Sequence, residues 1–241
     1  GSAHRGEVLL ATALEAASRN VDNGEPTGVV VVAAPAYWGP AAIGALRGAL
    51  RDRPGLSPGG IPPLIVSDAS AALAALQANP GLPTRGVVAL CDFGGSGSSI
   101  TLADAGANLA PIGETLRFSE FSGDQIDQAL LNHVLAGVRS AGPDDTSGTA
   151  AVGPLTRLRE ECRLAKERLS VETVTAVPVD LPGNRSECRV TRADLEAVIA
   201  GPLAGFLDAL GDALERNRIP AAGLAAVATI GQHFPCLGVI H

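Results

Sequence analysis

The chain has 241 residues, 46% of them hydrophobic and 18% charged, which is the size and composition of one large globular domain or two lobes. A net charge of −7 excludes the basic surface that nucleic acid needs and argues against an anionic membrane surface. No apolar run reads as a membrane span, nothing near residue 1 reads as a signal peptide, and the cysteines fit a reducing compartment, so the expected location is cytoplasmic.

Residues 5–20 read as a helix, followed by a turn at Asp22-Asn23-Gly24. Val29 to Ala34 is a continuous apolar run bounded by Gly28 and Pro35, and it predicts a central strand buried on both faces. Residues 40–53 read as a helix with Pro40 at its start. A Pro- and Gly-rich loop then leads to a short strand, Leu64-Ile65-Val66-Ser67. An Ala-rich helix over 68–79 follows, capped by Ser67 or Asp68. This β-α-β-α order implies a parallel sheet with helices on its faces.

Beyond residue 80 the pattern changes. Gly86 to Cys91 reads as a strand that stops at Asp92. Phe93 to Gly97 is a turn and Ser98 to Ala103 a second strand, so the three make a hairpin. A further strand falls within 109–121, an amphipathic helix over 122–139, a loop over 141–148 and a helix over 155–169. Strands at 171–180 and 187–191 are joined by Pro182-Gly183-Asn184. Thr191 or Arg192 opens a long helix to Asn217, and Leu224 to Ile230 is a last strand ending at Gly231. The lobe boundary is expected near residues 80–86.

Aromatic residues make up only 3% of the chain and Met is absent, so Ala, Val, Leu and Ile must fill most of the core. The four cysteines (Cys91, Cys162, Cys188, Cys236) and four histidines (His4, His133, His233, His241) show no metal-ligand spacing. The aromatic pair Tyr37-Trp38 reads as an anchor for the end of the first strand, with partner binding as the other reading. The alternating charges from Arg157 to Arg168 read as a solvated helix face.

The stretch richest in chemistry is Cys91-Asp92-Phe93-Gly94-Gly95-Ser96-Gly97-Ser98-Ser99. Glycines leave no Cβ in the way, so backbone N–H groups can face a phosphate. A carboxylate at the strand's end can hold Mg²⁺ through water. Taken alone, the same residues also make an ordinary hairpin turn.

Neighbouring segments widen the reading. Val30 to Trp38, Ile65 to Ala72, Asp92 to Gly95, Ser122 to His133, Leu164 to Ser170, Val190 to Glu196 and Ala228 to Gly231 resemble, in order and spacing, segments of the ATPase domain of DnaK-type chaperones, in the actin-like superfamily. The helix from Ser122 to His133 and the segment Leu164 to Ser170 favour this branch over a sugar kinase or a filament or pilus-assembly ATPase. The resemblance implies an α/β, actin-like (ribonuclease H-like) fold. Residues 1–82 would be the remainder of lobe I and 83–241 lobe II, with a peripheral α+β subdomain at about 122–192. It implies ATP or ADP with Mg²⁺ as ligand, and co-chaperones or other proteins as partners, with no nucleic acid and no membrane. The residues it marks are Asp68 and Asp92 as catalytic, with Asp92 also reaching the metal through water. Gly94, Gly95, Ser96, Gly97, Gly123, Lys166, Ser170 and Gly231 are marked for the nucleotide.

Departures from the pattern are as informative. A first phosphate loop and an interlobe lysine have no counterpart in this sequence. The family's Thr and Asp in the second phosphate loop fall on Gly97 and Ser99, and its catalytic Glu falls on the shorter Asp68. On the adenosine side its Glu and Arg fall on Arg163 and Glu167, with both signs reversed. Its base-stacking Arg is missing from Gln232-His233-Phe234, and the arginine that partners the switch proline, here Pro35, falls on Ile43. Phosphoryl transfer rests on positioning and charge stabilisation, so the expectation is weak or lost nucleotide binding and poor or absent hydrolysis. The alternative is a non-enzymatic scaffold for protein partners.

Overall fold

A computed structural model describes residues 5–21, 28–78, 81–140 and 152–231. The Asp22 turn, the 141–148 loop, His4, His233, His241, Cys236 and the Gln232-His233-Phe234 segment lie outside these residues. The chain divides into two compact units between Gly81 and Leu82.

In the first unit, α1 (Gly6–Val21), β1 (Val31–Ala34), α2 (Pro40–Arg51), β2 (Leu64–Ser67) and α3 (Asp68–Gln77) follow one another. β1 and β2 pair in parallel, from Val31 opposite Leu64 to Ala34 opposite Ser67. Ala11 of α1, Val32 and Ala34 of β1, Leu46 and Leu50 of α2, and Leu56 form the core, with Trp38 and Ile43 packed against it. Trp38 thus anchors the exit of β1. Buried Glu15 ties α1 to the chain after α2: its carboxylate takes the Gly55 N–H at 3.1 Å and lies 3.7 Å from Arg53.

The expectation that β1 is buried on both faces is wrong. Val31 is 55% exposed and Val29 59%, as is Leu64 opposite, at 55%. Side chains alternate along a strand. Val32 and Ala34 turn inward, and Val31 turns to a face that the described residues leave open. An unbroken apolar run records hydrophobicity, not the presence of a cover on each side.

The second unit is built on a four-stranded sheet in the order β5 (Ala110–Phe118), β4 (Ser98–Asp104), β3 (Val87–Phe93), β8 (Leu224–Ile230). β3 runs antiparallel to β4 and parallel to β8. One face carries Ala89, Cys91, Phe93, Ile100 and Leu102, which pack with Phe206, Leu210, Ala213 and Leu214 of α6 (Arg192–Arg216). By length and composition α6 could cross a membrane, which corrects the reading that no apolar run reaches that length. Its buried residues are spent on this sheet.

A second core joins α4 (Gly123–Ser140), α5 (Val152–Leu169) and the hairpin β6 (Val174–Leu181) and β7 (Asn184–Thr191). Leu130, Val134, Leu158, Cys162, Ala165, Val177 and Val190 meet there. The hairpin turn is two residues long, Pro182-Gly183, and Gly183 takes a φ of 79° that a Cβ would strain. On α5, Arg163 pairs with Glu160 and Glu167 at 2.5 Å, as a solvated face should. Burial pushes the Cys91 and Cys162 thiols up to about 12, which keeps them protonated and unreactive at neutral pH.

A capping box starts α6. Thr191 Oγ1 accepts the Asp194 N–H at 3.2 Å, and the Asp194 carboxylate accepts the Thr191 hydroxyl at 2.6 Å and its N–H at 2.8 Å. Bonds from Thr191 hold the Asp194 carboxyl below its usual 3.8. Because the folded value is lowered, the stabilisation is complete above the usual carboxylate range and disappears as pH falls through the lowered value. Asp194→Ala should therefore cost about 1 kcal/mol near neutrality, and urea titrations at pH 7 and pH 2 should show that deficit shrinking in acid.

Candidate functional site

β3 runs through the middle of its sheet and carries Asp92 near its C-terminal end. Arg117 of β5, Ser99 of β4, Asp92 and Ile230 of β8 lie directly opposite one another in one row across four strands. Residues so paired share a face of the sheet. In the adjacent row are Phe93, Ser98 and Phe118. The two phenylalanines lie on the α6 side, with their rings 5.0 Å and 5.8 Å from that of Phe206.

Between β3 and β4 the turn is closed by the Gly94 N–H, which donates to Gly97 O at 3.1 Å. A Cβ on Gly94 would lie 2.8 Å from that carbonyl, so the turn requires glycine there. The turn is fixed from outside by the start of α4, where Gly123 N–H donates to Gly94 O at 3.1 Å and Asp124 N–H to Gly95 O at 2.8 Å. These amides have no partner inside the helix, so the turn satisfies the helix as much as the helix holds the turn. Buried Ser122 caps α4 by accepting the Gln125 N–H at 3.2 Å, and Ser98 Oγ donates to Phe121 O at 2.5 Å. Where β8 ends, Gly231 lies so close to β3 that a Cβ would come within 2.6 Å of Phe93 O.

Lys166 rises from α5 to the same place. Its ammonium donates to Gly123 O at 3.3 Å and lies 2.6 Å from Asp127 Oδ1, with the two side chains only 5% and 8% exposed. The two charges face each other at that distance in a place almost shut off from water. Ser170, four residues further along the chain, donates its hydroxyl to Glu167 O at 2.6 Å and closes the end of α5.

Arg117 approaches the turn from β5. Its guanidinium donates to Ser96 O at 3.1 Å and to Ser96 Oγ at 3.4 Å. It also fills the space beside Gly97, where a Cβ would sit 2.8 Å from the guanidinium nitrogen. A threonine at 97 would require the Arg117 guanidinium, the far end of a flexible side chain, to shift.

The structure therefore gathers Asp92, Gly94, Gly95, Ser96, Gly97, Gly123, Lys166 and Gly231 at one end of the sheet, with Ser170 on the same helix as Lys166. Asp68 belongs to the other unit. Its Oδ1 accepts the Ala36 N–H at 2.8 Å and the Ala69 N–H at 2.7 Å, joining the exit of β1 to the start of α3. Ser67, not Asp68, caps α3, by accepting the Ser70 N–H at 2.9 Å. Sequence reasoning missed Arg117, which is distant in sequence from the turn and meets it only through the β4–β5 register. It also passed over Asp127 as a partner for Lys166, although a carboxylate one turn into α4 was in view.

Mg²⁺ takes carboxylate and water oxygens. The row at the turn offers one carboxylate, Asp92, with Ser99 beside it and then the cationic Arg117. Among the described residues no three His, Cys, Asp or Glu side chains are placed to hold a metal ion. Asp92 would reach such an ion through water, with the phosphates of a nucleotide supplying the other oxygens.

A model of the family described as "Hsp70 protein" matches residues 7–233. The chain is 26% identical to "Chaperone protein DnaK" of Cenarchaeum symbiosum over 216 residues, covering 86% of this chain and 31% of that protein. Against a ribosome-associated molecular chaperone of Zygosaccharomyces rouxii the identity is 26% over 211 residues, covering 86% of this chain and 33% of the relative. "Heat shock cognate HSP70 protein" of Trypanosoma brucei brucei is 27% identical over 147 residues, covering 60% of this chain and 22% of the relative. The chain thus spans about a third or less of the length of these relatives. With the match running through both units, and with a mixed α/β fold of the actin-like ATPase kind, the chain belongs to the Hsp70 family.

Proposed function

We propose that the chain is a degenerate nucleotide-binding module of a chaperone, binding ATP or ADP weakly and hydrolysing ATP poorly or not at all. The observation that carries this reading is the glycine turn clamped on the N-terminus of α4, with Lys166 behind it and Gly231 at its side. Its residues can bind and orient a phosphate chain. When bound, the nucleotide supplies the anion and the base, and the protein supplies backbone donors and a fixed cradle. Weak chemistry follows from two substitutions: Ser99 stands in the carboxylate's row, and the Asp68 oxygen that bonds to Ala36 and Ala69 is engaged in holding a loop. Partners, by the same reading, are other proteins of the chaperone cycle, in the cytoplasm.

Gly95 gives a clean test, because a Cβ there would meet nothing within 4 Å. Gly95→Ala should fold normally yet place a methyl group where a phosphate approaches. In calorimetric titrations the parent should bind ATP, and Gly95→Ala should bind it about tenfold more weakly or worse. A phosphate-release assay should read no turnover above the buffer control. Turnover like that of an intact chaperone ATPase, or ATP binding that Gly95→Ala leaves untouched, would defeat the proposal.

The scaffold reading, with nucleotide binding lost, is favoured by one observation. The Lys166 ammonium is buried against Asp127 and Gly123 O. Absence of ATP binding at millimolar concentration would select it.

A further inference from the structure

We infer that the second unit carries another small-molecule site, a cleft between the start of α5 and the β6–β7 turn that takes a phosphate monoester with an apolar body. This site is separate from the glycine turn, none of whose residues lines it. Arg157 in the cleft precedes Lys166 by nine positions on α5, roughly 13 Å along the helix axis.

The cleft has a volume of about 450 Å³, within the range that holds small organic ligands. Its walls come from two elements. Pro154 and Arg157, three positions apart on α5, share a helix face. The other wall is the end of the hairpin, from Asp180 to Arg185. Pro182 has a fixed φ and Gly183 stands at 79°, so that wall is preformed. Leu181, only 6% exposed, gives the cleft an apolar surface together with Pro154 and Pro182.

The polar side chains are mostly donors. Arg157 has no hydrogen bond or ion pair with any described residue, so its five N–H groups are open to a ligand. Arg185 Nε donates to Asp180 Oδ1 at 2.9 Å, which steadies that guanidinium and takes one donor of its five. Asn184 Oδ1 accepts the Ser186 hydroxyl at 2.8 Å, and its amide nitrogen keeps two N–H groups to offer. Asp180, the one carboxylate here, is already paired. Two guanidinium groups against one carboxylate leave the cleft positive on a chain of net charge −7, so an anion is drawn to this place over the rest of the surface. A monocarboxylate has two oxygens and satisfies one arginine fork. A phosphate monoester has three free oxygens and a second charge, enough for both forks. The group on its fourth oxygen then meets Leu181 and the prolines.

The test uses the whole chain, isotope-labelled for NMR, with phenyl phosphate, inorganic phosphate and benzoate as separate probes. Expected is saturable binding of phenyl phosphate in the millimolar range or tighter, with amide shifts centred on Gly183, Asn184 and Arg185. Inorganic phosphate lacks the ring and benzoate lacks the third oxygen, and each should bind about tenfold more weakly. Arg157→Ala should weaken phenyl phosphate about tenfold or more, and Arg157→Lys less, since it keeps the charge and loses the fork. Both variants should melt within about 2 °C of the parent, as an exposed side chain predicts. Shifts centred on Gly94 and Gly95 would place the probe at the glycine turn and overturn the inference. Equal affinity in Arg157→Ala, inorganic phosphate or benzoate bound as tightly as phenyl phosphate, or no saturable binding at millimolar concentration would overturn it as well.

Discussion

Lys166→Ala is expected to destabilise the second unit by about 3–5 kcal/mol. Lys166 is the only lysine in the chain, and its ammonium and the Asp127 carboxylate are almost wholly removed from water. Truncating the lysine leaves a carboxylate buried without its counter-charge, and that residual charge, more than the lost attraction, sets the cost. The Gly123 carbonyl loses its donor as well. For a chain of this length the melting temperature should fall on the order of 10 °C. Replacing both partners, as in Asp127→Leu with Lys166→Met, removes both charges together and should recover most of the loss. Urea denaturation followed by circular dichroism separates the cases. A single variant that melts within about 1 °C of the parent would show that the pair is solvated and the argument wrong. The same geometry changes how a binding experiment on Lys166 must be read. Loss of ATP binding in Lys166→Ala would report a loosened α4 as readily as a lost contact, and the doubly substituted chain is the proper comparison.

What the sequence made legible was local. A run of Gly and Ser between two apolar stretches has few solutions besides a hairpin, and Asp92 sits where that reading put it, at the end of β3. Thr191 or Arg192 reads as the opening of a helix, and in the structure Thr191 is the cap, in a capping box with Asp194. The misreadings came from interactions between distant residues. β1 is as apolar as a central strand, but only its neighbours decide whether a face is covered, and Val31 is open to solvent. Gly97 reads in sequence as a missing hydroxyl. In the structure it is also the space for a guanidinium that enters from β5. No local pattern marks Arg117, because its position depends on a register that shifts between Ile100 and Leu102 before it fixes Arg117 opposite Ser99. Lys166 was singled out, yet its buried partner was not, since only packing of α4 on α5 brings Asp127 to it.

The other large effect should come from Phe206→Ala. The sequence holds five phenylalanines, and four of them, Phe93, Phe118, Phe121 and Phe206, meet at one point. Phe206 is 1% exposed, and its ring lies 5.0 Å from Phe93, 5.8 Å from Phe118 and 6.0 Å from Phe121. In a core otherwise made of small aliphatic side chains nothing nearby can swell to fill the space. The cost should reach about 3–5 kcal/mol, the upper range for a buried aromatic truncation. Phe206→Leu, which keeps most of the volume, should lose clearly less. The location gives the prediction a second readout. Phe93 directly precedes the glycine turn and Phe121 directly precedes Ser122 at the start of α4, so the cavity opens beneath both sides of the clamp. Hydrogen exchange should therefore speed up at the Gly94, Gly123 and Asp124 amides, which donate to Gly97 O, Gly94 O and Gly95 O. Protection in the β6–β7 hairpin, which belongs to the other core, should change only as global stability does. Faster exchange spread evenly over both cores, with no excess at the turn, would mean that the aromatic cluster stabilises the unit without shaping the site.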